Sequence, residues 1–119
     1  SSSTYVDTGL TATITPTSAA SKILVMVTAD GVYATGSTSI VADFQIAKNG
    51  SALYEFGSAG NSGATSLTII LGSCAVNYLD SPASTSAITY QPYIKADTFG
   101  QCFFNGTGAA TLTLLEITA

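Results

Sequence analysis

The sequence contains no histidine, no tryptophan and no arginine, one methionine, two cysteines and only three lysines. Each shortage removes a class of function. Without imidazole, a Ser–His–Asp or Cys–His nucleophile has no base that titrates near neutral pH, and the usual pH sensor is missing as well. A Ser–Lys pair would have to use Lys22, Lys48 or Lys95, and no motif surrounds any of them. Three cations against seven carboxylates give a net charge of −4, so no basic patch exists to neutralise phosphates and nucleic-acid binding is not expected. Two cysteines without histidine cannot make a structural zinc site of the Cys/His kind within one chain. The longest aliphatic run, residues 23–27, is far too short to cross a bilayer as a helix, so no membrane insertion is expected.

The carboxylates are also poorly placed for chemistry. Asp7, Asp30, Asp43, Glu55, Asp80, Asp97 and Glu116 are scattered singly, without the opposed pair of glycosidic hydrolysis or the Asp-x-Asp spacing of a calcium loop. Asp30, Asp80 and Asp97 read as turn or strand-end residues that accept from their own downstream backbone. The expectation is therefore a protein that is not an enzyme, with no catalytic set, no cofactor and no metal.

What the chain does have is hydroxyl groups and apolar side chains. Its 119 residues and 12.0 kDa make one domain, 1–119, with 46% hydrophobic residues to build a core. Charged residues make up 8%, against roughly 25% in an ordinary soluble domain, while Ser and Thr together number 33. Residues 1–4, Ser-Ser-Ser-Thr, lack the basic and apolar regions of a signal peptide and read as a linker or cut end.

Apolar stretches alternate with Gly, Asn, Ser and Pro clusters, the pattern of an all-β domain. Leu10, Ala12 and Ile14 alternate with threonines and predict a half-buried strand ended by Pro16. Residues 22–29 are apolar on both faces, Ile23, Val25 and Val27 against Leu24 and Met26, and require cover on two sides. Residues 40–48 place Ile40, Ala42, Phe44 and Ile46 on one face. Asn49-Gly50 predicts a type I′ hairpin turn into a return strand at 52–56. Residues 57–63, with three glycines, read as a flexible loop, and 65–77 as a long strand with an interruption at Gly72-Ser73. In residues 88–96, Pro92 cannot donate to a ladder, which predicts an edge strand or a bulge. Residues 101–105 and 111–118 bring the count to about eight strands, with no helix. That spacing predicts a two-sheet antiparallel β-sandwich. The absence of a core tryptophan between its cysteines favours a jelly roll over an immunoglobulin-like arrangement.

Several residues stand out within this frame. Cys74 and Cys102 could be joined if their strands are neighbours, whereas folding in a reducing cytoplasm leaves two free thiols, the favoured expectation. Asn49-Gly50-Ser51 and Asn105-Gly106-Thr107 match the N-glycosylation pattern, but each is also an Asn-Gly turn, which accounts for both. Of the six tyrosines, Tyr33 alone falls outside the strand pattern, so Tyr33, Thr35 and Ser37 are the expected ligand-facing residues. Ten charged side chains give thin cover to a globule of this size, and the doubly apolar segments supply more greasy residues than one inner face can use. A symmetric homo-oligomer, a trimer in the first instance, is expected, with Leu24, Met26, Leu112 and Leu114 at its interface.

The opening residues 3–16, STYVDTGLTATITP, run into Ser21-Lys22-Ile23-Leu24-Val25. With Leu79-Asp80-Ser81-Pro82 and the closing Leu114-Leu115-Glu116-Ile117, this resembles a module at the ends of tail-fibre and other virion surface proteins of tailed bacteriophages, marine ones especially. The likeness spans nearly the whole chain, its first block being the most specific, and residues 32–66 carry none of it. It implies a trimeric β-sandwich in the style of the complement/tumour-necrosis-factor jelly rolls, assembled in a bacterial cytoplasm. Such a module sits on the virion surface beside other virion proteins, displaying loops to a host surface glycan or protein. It brings no catalytic set. Two alternatives stand beside it: a capsid decoration (cement or head-fibre) protein, and an extracellular filament subunit joined by N-terminal strand addition.

Overall fold

The computed structural model describes residues 4–96, 100–104 and 108–118, with side chains throughout except at 37–40 and 57–71. Seven strands run in the order β1 (Val6–Asp7), β2 (Ala12–Ile14), β3 (Lys22–Lys48), β4 (Ser51–Asp80), β5 (Ile88–Ala96), β6 (Gly100–Phe103) and β7 (Ala110–Ile117). No helix occurs among the described residues.

The fold is dominated by one hairpin. β3 and β4, of 27 and 30 residues, pair antiparallel from Lys48–Ser51 at the closed end to Ile23–Asp80 at the open end. Asn49 (φ 50°) and Gly50 (φ 78°) form the turn, using the left-handed conformation that Asn and Gly tolerate best. Straight, a 27-residue strand would reach about 90 Å at the usual rise. The whole molecule is only 53 Å in its longest dimension, so the ribbon is folded back on itself. Register shifts at Ala29/Val32, Val32/Tyr33, Gly36/Thr38 and Thr38/Ser39 supply the bends.

Folding the ribbon in half makes the two layers. Residues 22–29 of β3 lie between β4 and β7, whereas residues 42–48 lie between β4 and β5, with β1 and β2 beyond β5. Counting the halves of β3 and β4 separately, nine strand segments form a two-sheet antiparallel sandwich. Its core takes Ile23, Val25, Val27 and Ala29 from one half of β3, Ala42, Phe44 and Ile46 from the other, and adds Phe56, Ile88, Tyr90 and Phe104. Each large apolar side chain so buried contributes about 1.5–3 kcal/mol.

The segment read as a loop, 57–63, and the stretch 31–39, for which no strand was predicted, are both strand. Residues 31–39 belong to β3, where 32–39 pair with 62–72 of β4, and residues 57–63 belong to β4, where 58–62 pair with 39–43 of β3. Neither has strong local β character. The regular partner ladder satisfies their backbone groups, and glycine permits the extended geometry as readily as a loop. The interruption at Gly72 is present as a bulge with φ 73° opposite Val32.

Pro92 is explained differently from either sequence alternative. β5 is flanked on both sides, by β3 and by β1 with β2, so it is not an edge. The carbonyl of Pro92 accepts from Thr8 N at 3.2 Å and Thr8 Oγ1 at 2.8 Å, in the gap between β1 and β2. The missing proline donor falls where the neighbouring strand is already broken.

Candidate functional site

Alternation fixes which side chains leave the sandwich. Around the fold of the ribbon, Val32 and Ala34 point inward and are buried, so Tyr33 and Thr35 point outward. β6 pairs here, placing Phe103 against Tyr33 and Gln101 against Thr35. The Tyr33 and Phe103 rings stack with centroids 4.4 Å apart and planes 9° from parallel. Phe103 remains 36% exposed. The next residue, Phe104, turns inward and meets Phe44 at 6.3 Å, which anchors β6 to the core. The outward surface is thus an aromatic pair standing beside a hydroxyl and an amide.

Tyr33 and Thr35, expected as ligand-facing residues, therefore share the outward face of a strand. The side chain of Ser37 lies outside those described. Phe103 and Gln101 were not singled out from the sequence; the alternation of Gln101 and Phe103 against Cys102 and Phe104 was the available signal.

A second outward surface lies on the β4–β3–β7 sheet. Leu24 pairs with Leu79 on one side and Leu115 on the other, making an apolar row across all three strands. Leu79 is 46% and Leu115 49% exposed, and Ile117, two residues along β7, is 46% exposed. Met26 follows Leu24 on the same face, between Asn77 and Thr113. The other two residues expected at an interface, Leu112 and Leu114, lie on the opposite side of β7. They pair with Val27 and Val25, point inward and pack against the core. The doublet Leu114-Leu115 offers a leucine to each face, and only the sandwich decides which is inside.

The outer face of the other sheet is polar. Lys95 Nζ lies 3.1 Å from Asp43 Oδ2 and 4.7 Å above the Tyr5 ring, Gln91 Nε2 donates to Asp7 Oδ2 at 2.8 Å, and Gln45 Nε2 to Glu55 Oε1 at 3.4 Å. The Asp43 carboxylate, as hydrogen-bond partner, raises the Lys95 ammonium pKa. Burial first, then the Glu55 charge, raises that of the Tyr5 phenol. These groups satisfy one another across the face.

The two cysteines are free thiols. Cys74 pairs with Ala29 and Cys102 with Ala34, both on the inward side. Burial raises the Cys74 thiol and pushes Cys102 up to about 11, the Phe103 backbone hydrogen bond opposing only in part. Neither is a thiolate nucleophile at neutral pH. Among the described residues, no three His, Cys, Asp or Glu side chains converge as a metal site. Asp30 behaves as a strand-interior acceptor for Gly31 N and Ser73 Oγ, both at 2.9 Å, while Asp97 and Asn105-Gly106-Thr107 lie outside the described residues.

No family model matches the chain, and neither a curated protein nor a solved structure was found similar to it.

Proposed function

We propose that the chain is a non-enzymatic binding module of a bacteriophage virion surface, a tail-fibre or receptor-binding domain of jelly-roll type. It acts in three copies and recognises a hydroxyl-rich host surface glycan. The observation that carries this reading is the outward Tyr33–Phe103 stack with Thr35 and Gln101 beside it. Aromatic faces receive the C–H faces of sugar rings, and a neighbouring hydroxyl and amide supply hydrogen bonds that fix orientation. One such site is weak, and three on one particle raise the overall avidity without any new contact. The scarcity of charge leaves selectivity to shape and neutral hydrogen bonds.

The filament alternative is disfavoured by one feature. β1 and β2, which would have to leave and join a neighbour, pair with β5 of their own chain. The capsid-decoration alternative is separated by copy number per virion.

The test is binding of the purified protein to immobilised host-cell surface polysaccharide. Saturable binding that Phe103→Ala weakens about tenfold, the loss of roughly 1.4 kcal/mol, supports the reading. Binding unchanged in Phe103→Ala, or none by the wild type, overturns it.

A further inference from the structure

The apolar row Leu79–Leu24–Leu115, extended by Ile117, has no role in ligand display. Among the described residues, six large apolar side chains stand out as exposed, and Leu79, Leu115 and Ile117 share this single face at one end of one sheet. Around them lie Ala75, Asn77, Thr111 and Thr113, all exposed and uncharged, with the exposed Lys22 opposite Ile117 at the edge of the row. A flat, neutral surface of this kind loses little hydration when covered, and apolar residues gathered on one face mark an interaction site more than the same residues dispersed would.

Charge identifies the occupant. The outward face of the β4–β3–β7 sheet carries Lys22 at one end and Asp30 at the other, which cancel. The outward face of the opposite sheet carries Asp7, Asp43 and Glu55 against Lys95. Two copies of a chain with net charge −4 meet like-charge repulsion if they approach through the acidic face, and much less through the leucine face, which carries one charge of each sign. A strongly charged partner finds a single cation, Lys22 beside Ile117, and a single anion, Asp30 at the far end of the face.

We infer that the face formed by Leu24, Leu79, Leu115 and Ile117 packs against a second copy of this chain and is the contact that holds its oligomer together. This assigns self-association to the outward side of β7 and to the open end of β4, and removes Leu112 and Leu114 from it. The inference does not depend on glycan recognition, because Phe103 lies on β6, away from the row.

The test is the mass of the protein by multi-angle light scattering at micromolar concentration. The wild type is expected at a multiple of 12.0 kDa and the double variant Leu79→Glu/Leu115→Glu at 12.0 kDa, with unchanged circular dichroism. Glu55→Gln, on the opposite face, should leave the oligomer intact. If the glutamate variant does not fold, Leu79→Thr/Leu115→Thr keeps strand propensity and should raise the dissociation constant at least about tenfold. A monomeric wild type, or an oligomer that survives either folded variant, overturns the inference. A dimer would support the face and remove only the expectation of three copies.

Discussion

Lys48 Nζ lies 3.0 Å from Asp80 Oδ2, although the two residues stand at opposite ends of the β3–β4 ribbon. Asp80 also accepts from Tyr90 Oη at 2.7 Å, and both Asp80 and Tyr90 are buried. One carboxylate thus ties together the open end of the hairpin, its closed end and β5. The Tyr54–Tyr78 stack, with centroids 4.6 Å apart, joins the same two ends at the rim.

Asp80→Ala should destabilise the domain by about 3 kcal/mol, because it leaves a largely buried ammonium and a buried phenol without their acceptor. Tyr90→Phe removes only a donor and should cost about 1 kcal/mol. The urea midpoints of the two single variants and the double variant give the check. The double variant should be less destabilised than the sum of the singles, since both remove the same hydrogen bond.

Stability should also fall at alkaline pH. Burial, followed by the hydrogen bond to Asp80 and its charge, raises the Tyr90 phenol well above its ordinary value of 10.0. The folded state therefore holds this proton more tightly than the unfolded state. The resulting stabilisation is complete below pH 10 and is lost as pH rises above it toward the folded-state value. Tyrosinate absorbance should show Tyr90 ionising together with unfolding, and Tyr90→Phe should flatten the dependence of the urea midpoint on pH over that window.

Both thiols should resist alkylation. Half-buried and with raised pKa values, Cys74 and Cys102 should react slowly with iodoacetamide at neutral pH and rapidly in guanidinium chloride. Mass spectrometry without prior reduction should find both cysteines modified after denaturation. An unmodified pair would reveal a disulfide.

The hairpin turn should tolerate substitution poorly at one position. Gly50→Ala forces a Cβ into φ 78°, a cost of about 1–2 kcal/mol even though nothing lies within 4 Å of the added atom. Asn49 has a further task, since its Oδ1 accepts from Thr89 N at 2.9 Å while its own N–H donates to Thr89 O at 2.8 Å. Asn49→Gly should therefore cost more than the turn conformation alone accounts for, and thermal unfolding of the two variants provides the comparison.

Local chemistry alone determined a good deal of this protein. Alternating apolar residues predicted strands at 10–14, 40–48, 88–96 and 111–118, the doubly apolar run predicted one at 22–29, and Asn49-Gly50 predicted the hairpin, because two-residue periodicity and a positive φ are properties of neighbours. The tertiary structure decided the rest. Residues 31–39 became strand against 62–72 and residues 57–63 against 39–43, and the ribbon folded in half so that its ends join at Lys48 and Asp80. Alternation shows that Leu112 and Leu114 share one face while Leu115 and Ile117 share the other. It does not show which face a distant layer will cover, and that contact, made across tens of residues, is what turned the first pair inward and left the second exposed.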